Sequence, residues 1–331
     1  MRKMIFAATV CLAVFLCGCM TEAQPSADLP EDELIVVGFS QVGAESEWRV
    51  ANTESMKAAL SEKNGYELIF DDARNMQENQ IRAIRTFIQQ DVDYIVFSPR
   101  TETGWSTVLN EAKTAGIPVI VIDRYIEAED RGLYTAFIGS DFRKEGDKAV
   151  KWLERLLEKQ GRTNETLRIV HIQGTIGSSA QIGRTQALDY ALERHPNWVM
   201  IAREDGDFTR AKAKEVMSGI LKQTKDIDVV YCENDGEAFG AIDAMEDAGL
   251  KCNPNDGVIV ISFDATRLAL KYCLEGRIAL SVECNPLQGP YVDAMIKRLN
   301  RGETVEREKY INETQFDFYT ITQDMIDRRD Y

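Results

Sequence analysis

Short β-branched runs alternate with amphipathic helical stretches along most of this chain, and that alternation constrains the fold more than any other feature. The runs are Leu34–Phe39, Glu67–Phe70, Tyr94–Phe97, Val119–Ile122, Arg168–Ile172, Val199–Ala202, Val229–Cys232 and Val258–Phe263. Near-continuous apolar strands of this kind belong to sheets covered by helices on both faces. Between them, Ile81, Ile84, Phe87 and Ile88 recur at helical spacing, as do Val216, Ile220 and Leu221, and Phe239, Ile242 and Met245. Gly65, Gly116 and Gly249 stand where helices should stop before the next strand. The pattern predicts an α/β chain of doubly wound parallel sheets. There are too many strands for one comfortable sheet, so two similar lobes are expected, with a junction near Phe137–Ser140.

The first residues set the compartment. Arg2 and Lys3 precede an apolar run, Ile5 to Leu16, of twelve residues. A bilayer core needs about twenty, so the run reads as a secretory leader, not a membrane span. It ends in Leu16-Cys17-Gly18-Cys19, which resembles a bacterial lipobox and predicts removal of residues 1–18 and acylation of Cys19. The plainer alternative is ordinary cleavage near Gly18. Residues 19–33, rich in proline and acidic side chains, read as a flexible tether. Loss of Arg2 and Lys3 takes the formal charge from −15 to −17, which argues against a nucleic-acid partner. Four cysteines remain beyond Cys19: Cys232, Cys252, Cys273 and Cys284. An even number in an exported chain allows three disulfide pairings, and free buried thiols are the alternative. No CxxC or neighbouring histidine suggests zinc, and no metal is expected.

In open parallel sheets, ligands lie beyond the carboxyl ends of the strands. Reading those ends gives Gln41, with Glu45, Trp48 and Arg49 just after it. Later strands yield Arg100, Asp123, Arg124, Asp207, Phe208, Asn234, Asp264 and Glu283, with Arg184 following Gln173-Gly174. Carboxylate, amide and guanidinium groups make paired hydrogen bonds to adjacent hydroxyls. Trp48, Trp105 and Phe208 offer flat faces for the C–H side of a sugar ring. Each residue also has a plain structural reading. Asp207 could cap the helix starting near Thr209, the tryptophans could be core, and Arg100 could be a solvated charge. What favours a site is that nearly every strand in both halves ends this way.

Catalytic signals are weak. His171 falls inside a strand and His195 just before Pro196, neither beside a Ser or Cys nucleophile. The chain has no G-x-G-x-x-G after a strand, no P-loop and no H-E-x-x-H. Gly174-Thr175-Ile176-Gly177-Ser178-Ser179 lacks the P-loop lysine and reads as a turn that brings backbone close to a ligand. Asp123 and Asp264 would be the acids of a glycosidase, a reading that their neighbours disfavour. No enzyme activity and no cofactor are expected.

The segment from Gly38 to Arg49, Gly-Phe-Ser-Gln-Val-Gly-Ala-Glu-Ser-Glu-Trp-Arg, is similar to the opening of the galactofuranose-binding proteins of bacterial sugar ABC importers. Ile122-Asp123-Arg124, Gly206-Asp207-Phe208-Thr209-Arg210 and Asn234-Asp235 extend the resemblance over most of residues 34–300, though these pieces are shared with ribose-type binding proteins. The resemblance implies a type 1 periplasmic-binding-protein fold, with lobes at 34–138 plus 287–316 and at 139–286 plus 317–331. It implies three crossings, near Phe137–Ser140, Glu283–Leu287 and Phe316–Tyr319. Carried over residue by residue, it nominates Glu45, Arg49, Asp123, Arg124, Arg184, Phe208, Asn234, Asp264 and Glu283 as sugar contacts. Arg100, where an apolar residue is expected, leaves room for an acidic or differently sized ligand. The expected function is capture of a galactofuranose-like monosaccharide by a monomer, lipid-anchored on the outer side of the membrane, for an ABC permease. The alternative is a sensor presenting sugar to a membrane kinase or chemoreceptor.

Overall fold

Six strands are buried at every position and form the centres of two sheets, and four of them fall on the apolar runs read from the sequence. The computed structural model describes residues 34–127 and 131–331. The predicted leader, Cys19 and the tether lie outside the described residues. Among those described, no helix is long and apolar enough to cross a membrane.

The first lobe runs β1 (Ile35–Gln41), α1 (Glu47–Ala59), β2 (Tyr66–Asp72), α2 (Gln77–Gln89), β3 (Tyr94–Phe97), α3 (Ser106–Thr114), β4 (Val119–Asp123) and β5 (Ala136–Gly139). The chain then crosses into α4 (Phe142–Lys159), β6 (Leu167–Gln173), α5 (Ser179–Arg194), β7 (Trp198–Asp205), α6 (Arg210–Leu221), β8 (Val229–Cys232), α7 (Asp235–Asp247), β9 (Ile259–Asp264), α8 (Arg267–Leu274) and β10 (Leu280–Glu283). It returns to the first lobe for α9 (Gly289–Asn300) and β11 (Glu308–Tyr310), then crosses again to β12 (Gln315–Asp317) and α10 (Gln323–Asp327). The sheet orders are β11-β5-β4-β3-β1-β2 and β12-β10-β9-β8-β6-β7. All neighbours are parallel except β12, which runs antiparallel to β10.

Helices cover both faces of each sheet. In the first lobe, Phe39, Met56 and Val292 pack on one side, and Ile84, Phe87 and Trp105 on the other. In the second, Met217, Ile242 and Val260 form one core, and Leu153, Leu188 and Phe263 the other. Side-chain caps start the helices where the strand ends hand over. Ser46, Asp141, Ser178, Thr209, Asn234 and Thr266 each accept from a backbone N–H in the first turn. Asp207 is therefore not the cap of α6; Thr209 is.

The structure corrects the expected boundaries. Gly139 still pairs within the first sheet, opposite Tyr310, so the first crossing is 140–141. Gln315 and Phe316 pair with Val282 and Ser281 of the second sheet, which moves the third crossing from 316–319 to 311–314. The error has a physical reason. β11 and β12 are three residues each, charged and half-exposed, so no apolar run marks them. All four cysteines are free, buried thiols, so none of the three possible disulfide pairings forms.

One close approach is a sharp test of this packing. A Cβ at Gly38 of β1 would sit 2.4 Å from Cγ of the buried Phe87 of α2. We expect Gly38→Ala to cost about 1–3 kcal/mol in denaturant unfolding, and Phe87→Leu in the same chain to recover part of it. Simple additivity of the two losses would show that β1 and α2 do not meet as described.

Candidate functional site

The carboxyl ends of both sheets face one cleft, and a small cavity lies between them. Glu45, Trp48, Arg49, Asp123, Arg124, Arg184, Phe208, Asn234 and Asp264 line it, all nominated from the sequence. Ser46, Phe142, Ala180 and Cys284 complete the wall and were missed.

The first lobe contributes an ion network built around Arg49. Its Nη1 donates to Asp123 Oδ2 at 2.7 Å, to Ser98 Oγ at 3.1 Å and to Gln41 Oε1 at 3.2 Å. Its Nε donates to Glu45 Oε1 at 3.1 Å. Arg124 stands 3.7 Å from Glu45 and 3.8 Å from Asp123, over the ring of Phe208 from the other lobe at 5.1 Å. Burial opposes ionisation of Glu45, but Arg49 and Arg124 outweigh it and hold the carboxyl below its ordinary value. Burial, with Arg49 beside it, pushes Arg124 down to about 10, so it stays charged at neutral pH. Glu45 Oε2 is buried with no donor, an acceptor available at the cavity wall.

The second lobe contributes Arg184. Its Nε donates to Glu145 Oε2 at 2.8 Å, its Nη1 to the Glu233 carbonyl, and its Nη2 lies 3.9 Å from Asp264. Burial, with Asp235 near, pushes the Asp264 carboxyl well above the usual range. Asn234 caps α7 through Oδ1 and donates from Nδ2 to the Phe208 carbonyl at 3.0 Å. Phe208 is fixed further by its N–H, which donates to Glu237 at 2.9 Å. The glycine-rich turn serves the same ring, since a Cβ at Gly174 would lie 2.0 Å from Phe208. Trp48, Phe142, Ala180, Phe208 and Cys284 form a small apolar cluster of their own between the lobes. Trp48 Nε1 donates to the Cys284 carbonyl at 2.6 Å.

Asp123 and Asp264 hold corresponding places at the ends of β4 and β9, both with positive φ, 61° and 106°. Backbone strain in non-glycine residues concentrates where a ligand site over-determines it. Among the described lining residues, three guanidinium groups face three carboxylates, so the wall is formally neutral. A net charge on the ligand would be left unmatched, whereas a polyol can use both donors and acceptors.

Four nominated residues stand outside the cavity. Gln41 accepts from Arg49, donates to Asn52 and Thr53, and so orients the arginine. Asp207 accepts from Thr175 of its own lobe at 2.7 Å and from Asn75 of the other at 3.3 Å. Arg100 donates to Asn75 and lies 3.9 Å from Asp207, at the rim where the lobes meet. That placement removes the sequence argument for an acidic ligand. Glu283 accepts from Arg329 at 2.8 Å and from the Thr314 N–H at 2.9 Å, so it binds the C-terminal segment and not the cavity. Trp105 is core, packed 4.9 Å from Phe97. His171 meets Glu233 and His195 meets Glu154 away from the cavity wall.

A model of the periplasmic binding protein domain matches residues 37–304, and the chain belongs to that family. It is a binding protein and not an enzyme, and the family acts outside the cytoplasm. The galactofuranose-binding protein YtfQ of Escherichia coli (strain K12) is 40% identical over 277 residues, covering 82% of this chain and 85% of that protein. A crystal structure from Mycobacterium smegmatis in complex with beta-D-fucofuranose is 41% identical, with a TM-score of 0.82, covering 87% of this chain and 92% of that one. The binding-protein component of the arabinose ABC transporter from Shewanella sp. ANA-3, bound to alpha and beta-L-arabinofuranose, is 36% identical with a TM-score of 0.82. The match covers 89% of this chain and 95% of that one.

Two substitutions in the Arg184 cluster should have opposite effects on the unliganded protein. Arg184→Ala strips Glu145 and Asp264 of their cation and should lower the melting temperature, since breaking a buried pair costs about 3–5 kcal/mol. Asp264→Asn removes a carboxylate that burial disfavours and should hold or raise it at neutral pH. A carboxyl with a raised native pKa loses stability as pH rises from its unfolded value toward its native one. The Asn advantage should therefore fade as pH falls below the ordinary carboxylate range. Melting curves across pH decide it, and a marked drop for Asp264→Asn at neutral pH would make Asp264 a structural group.

Proposed function

We propose that this protein captures one furanose sugar between its lobes and delivers it to an ABC permease. The observation that carries this reading is the neutral, two-lobed cavity with ion networks on both sides and aromatic faces between them. The guanidinium and carboxylate groups hydrogen-bond hydroxyls, and Trp48, Phe142 and Phe208 cover the C–H face. The relatives described above are named for, or bound to, galactofuranose, fucofuranose and arabinofuranose, which favours the five-membered ring form. The lobes close over the sugar about the three crossings. Arg124 and Asp264 grip it from opposite sides, and Cys19 carries the lipid that anchors the chain. The protein works as a monomer.

Calorimetric titration tests the ring form. Each buried polar group left without its partner costs about 1–3 kcal/mol. Furanosides should therefore bind at least tenfold more tightly than methyl pyranosides of the same sugars. Arg124→Ala should weaken furanoside binding about tenfold to a hundredfold. Equal affinity for both ring forms would remove the furanose assignment, and wild-type affinity in Arg124→Ala would remove that residue from the site. Cys19→Ala should move the protein from the membrane fraction to the soluble one; membrane retention of this variant would refute the anchor.

A further inference from the structure

Behind Arg184, away from the cavity, two carboxyl groups meet where all three crossings converge. Glu145 of α4 gives one oxygen, Oε2, to Arg184. Its other oxygen, Oε1, is buried without a donor. The carboxyl of Glu313, in the third crossing, lies beside it, and Glu145, Cys284 and Glu313 bring an oxygen or sulfur each within 4.8 Å of one another. Glu313 Oε1 already accepts from Ser140 Oγ of the first crossing at 2.6 Å and from the Asn285 N–H of the second at 2.8 Å. Lys148 Nζ is engaged by the Glu313 carbonyl at 2.6 Å and does not serve the carboxylate as a donor.

Two ionised carboxylates are both acceptors and cannot hydrogen-bond each other. One proton between them removes the repulsion and gives Glu145 Oε1 its missing donor, the arrangement of an acid–carboxylate dyad. We propose that Glu145 and Glu313 share one proton, and that Glu313 thereby acts as a positioning residue that holds Glu145 against Arg184 when the lobes are closed. The surrounding charges agree. Arg184 is the one cation paired with either carboxyl group among the described residues, and it is already engaged on the Oε2 side. Asp264, Glu283 and the Cys284 thiol add no positive charge. Burial pushes Glu145 up to about 7, and burial with Glu145 pushes Glu313 up to about 9.

The pair draws on every crossing, so rotation about the hinge changes its geometry. The inference that its proton couples to closure rests on the binding reading above; the proton itself does not. A group with its pKa raised in the closed state favours closure at low pH and loses that effect as pH rises toward the raised value. Affinity for arabinofuranose should then fall between pH 7 and 9, by up to tenfold per pH unit for one proton taken up. Glu313→Gln replaces the shared proton with a permanent amide donor and should bind equally well at pH 7 and pH 9. Glu313→Ala, with no donor to offer, should bind more weakly than Glu313→Gln at pH 7. A merely structural Glu313 would leave the slope of the pH profile unchanged in the Gln variant, and that result would overturn the coupling.

The proton is also visible without ligand. The infrared difference spectrum of wild type minus Glu313→Gln at neutral pH should contain a protonated-carboxyl stretch that shifts in deuterium oxide. Its absence would overturn the shared proton. Failure of arabinofuranose to bind either protein would count against the sugar reading alone, because the infrared result stands without it.

Discussion

Holding three guanidinium groups and four carboxyl groups in a buried cleft is the constraint on which this molecule depends. An isolated buried charge is costly, and removing one member of a buried pair leaves that cost uncompensated. Here each guanidinium is answered by carboxylates of its own lobe. Arg49 and Arg124 are set against Glu45 and Asp123, and Arg184 against Glu145 and Asp264. Each guanidinium thus keeps its carboxyl partners when the lobes separate. What the lobes share is mostly neutral: Trp48 to the Cys284 carbonyl, the Tyr125 N–H to Ser179, and the Glu102 N–H to the Gly177 carbonyl. Such contacts are readily replaced by water, which suits a cleft that must open again.

The sheets supply the positions. Parallel strands place their carboxyl ends together, so Asp123 and Asp264, last residues of β4 and β9, arrive at the cleft by topology and not by accident of folding. Helix starts lie at the same end. The caps Ser46 and Asn234 thus serve a helix and a cavity wall at once. Strain at Asp123 and Asp264 and the disfavoured charge of Asp264 are local costs that larger cores offset, as is common where a site must bind rather than merely pack.

Much of this was legible in the residues. The apolar runs gave most of the central strands to within one or two residues, because a strand buried on both faces has little room for polar side chains; Ala136–Gly139 overlaps the expected junction instead. Reading strand ends found nine cavity residues for the same topological reason. It missed Ser46, Phe142 and Ala180, which sit at helix starts; reading the first turn of each helix as well would have found them. Glu283 failed because its partner, Arg329, returns from the far end of the chain, and no local pattern announces that contact. The short strands β11 and β12 failed because their pairing comes from the sheet edge they join and not from their own composition. Arg100 was misplaced for a related reason: its side chain turns to Asn75 and the rim, a choice made by tertiary contacts alone.

The central claim is that a furanose ring is held inside the interlobe cavity by both arginine systems. A crystal structure of the protein grown with arabinofuranose tests it most directly. The account predicts one sugar within the cavity, with hydroxyls hydrogen-bonded to Arg124 and Glu45 of the first lobe and to Asp264 or Arg184 of the second. Its C–H face should lie against Trp48, Phe142 or Phe208. A sugar bound elsewhere, or one touching a single lobe with the cleft open, would contradict it.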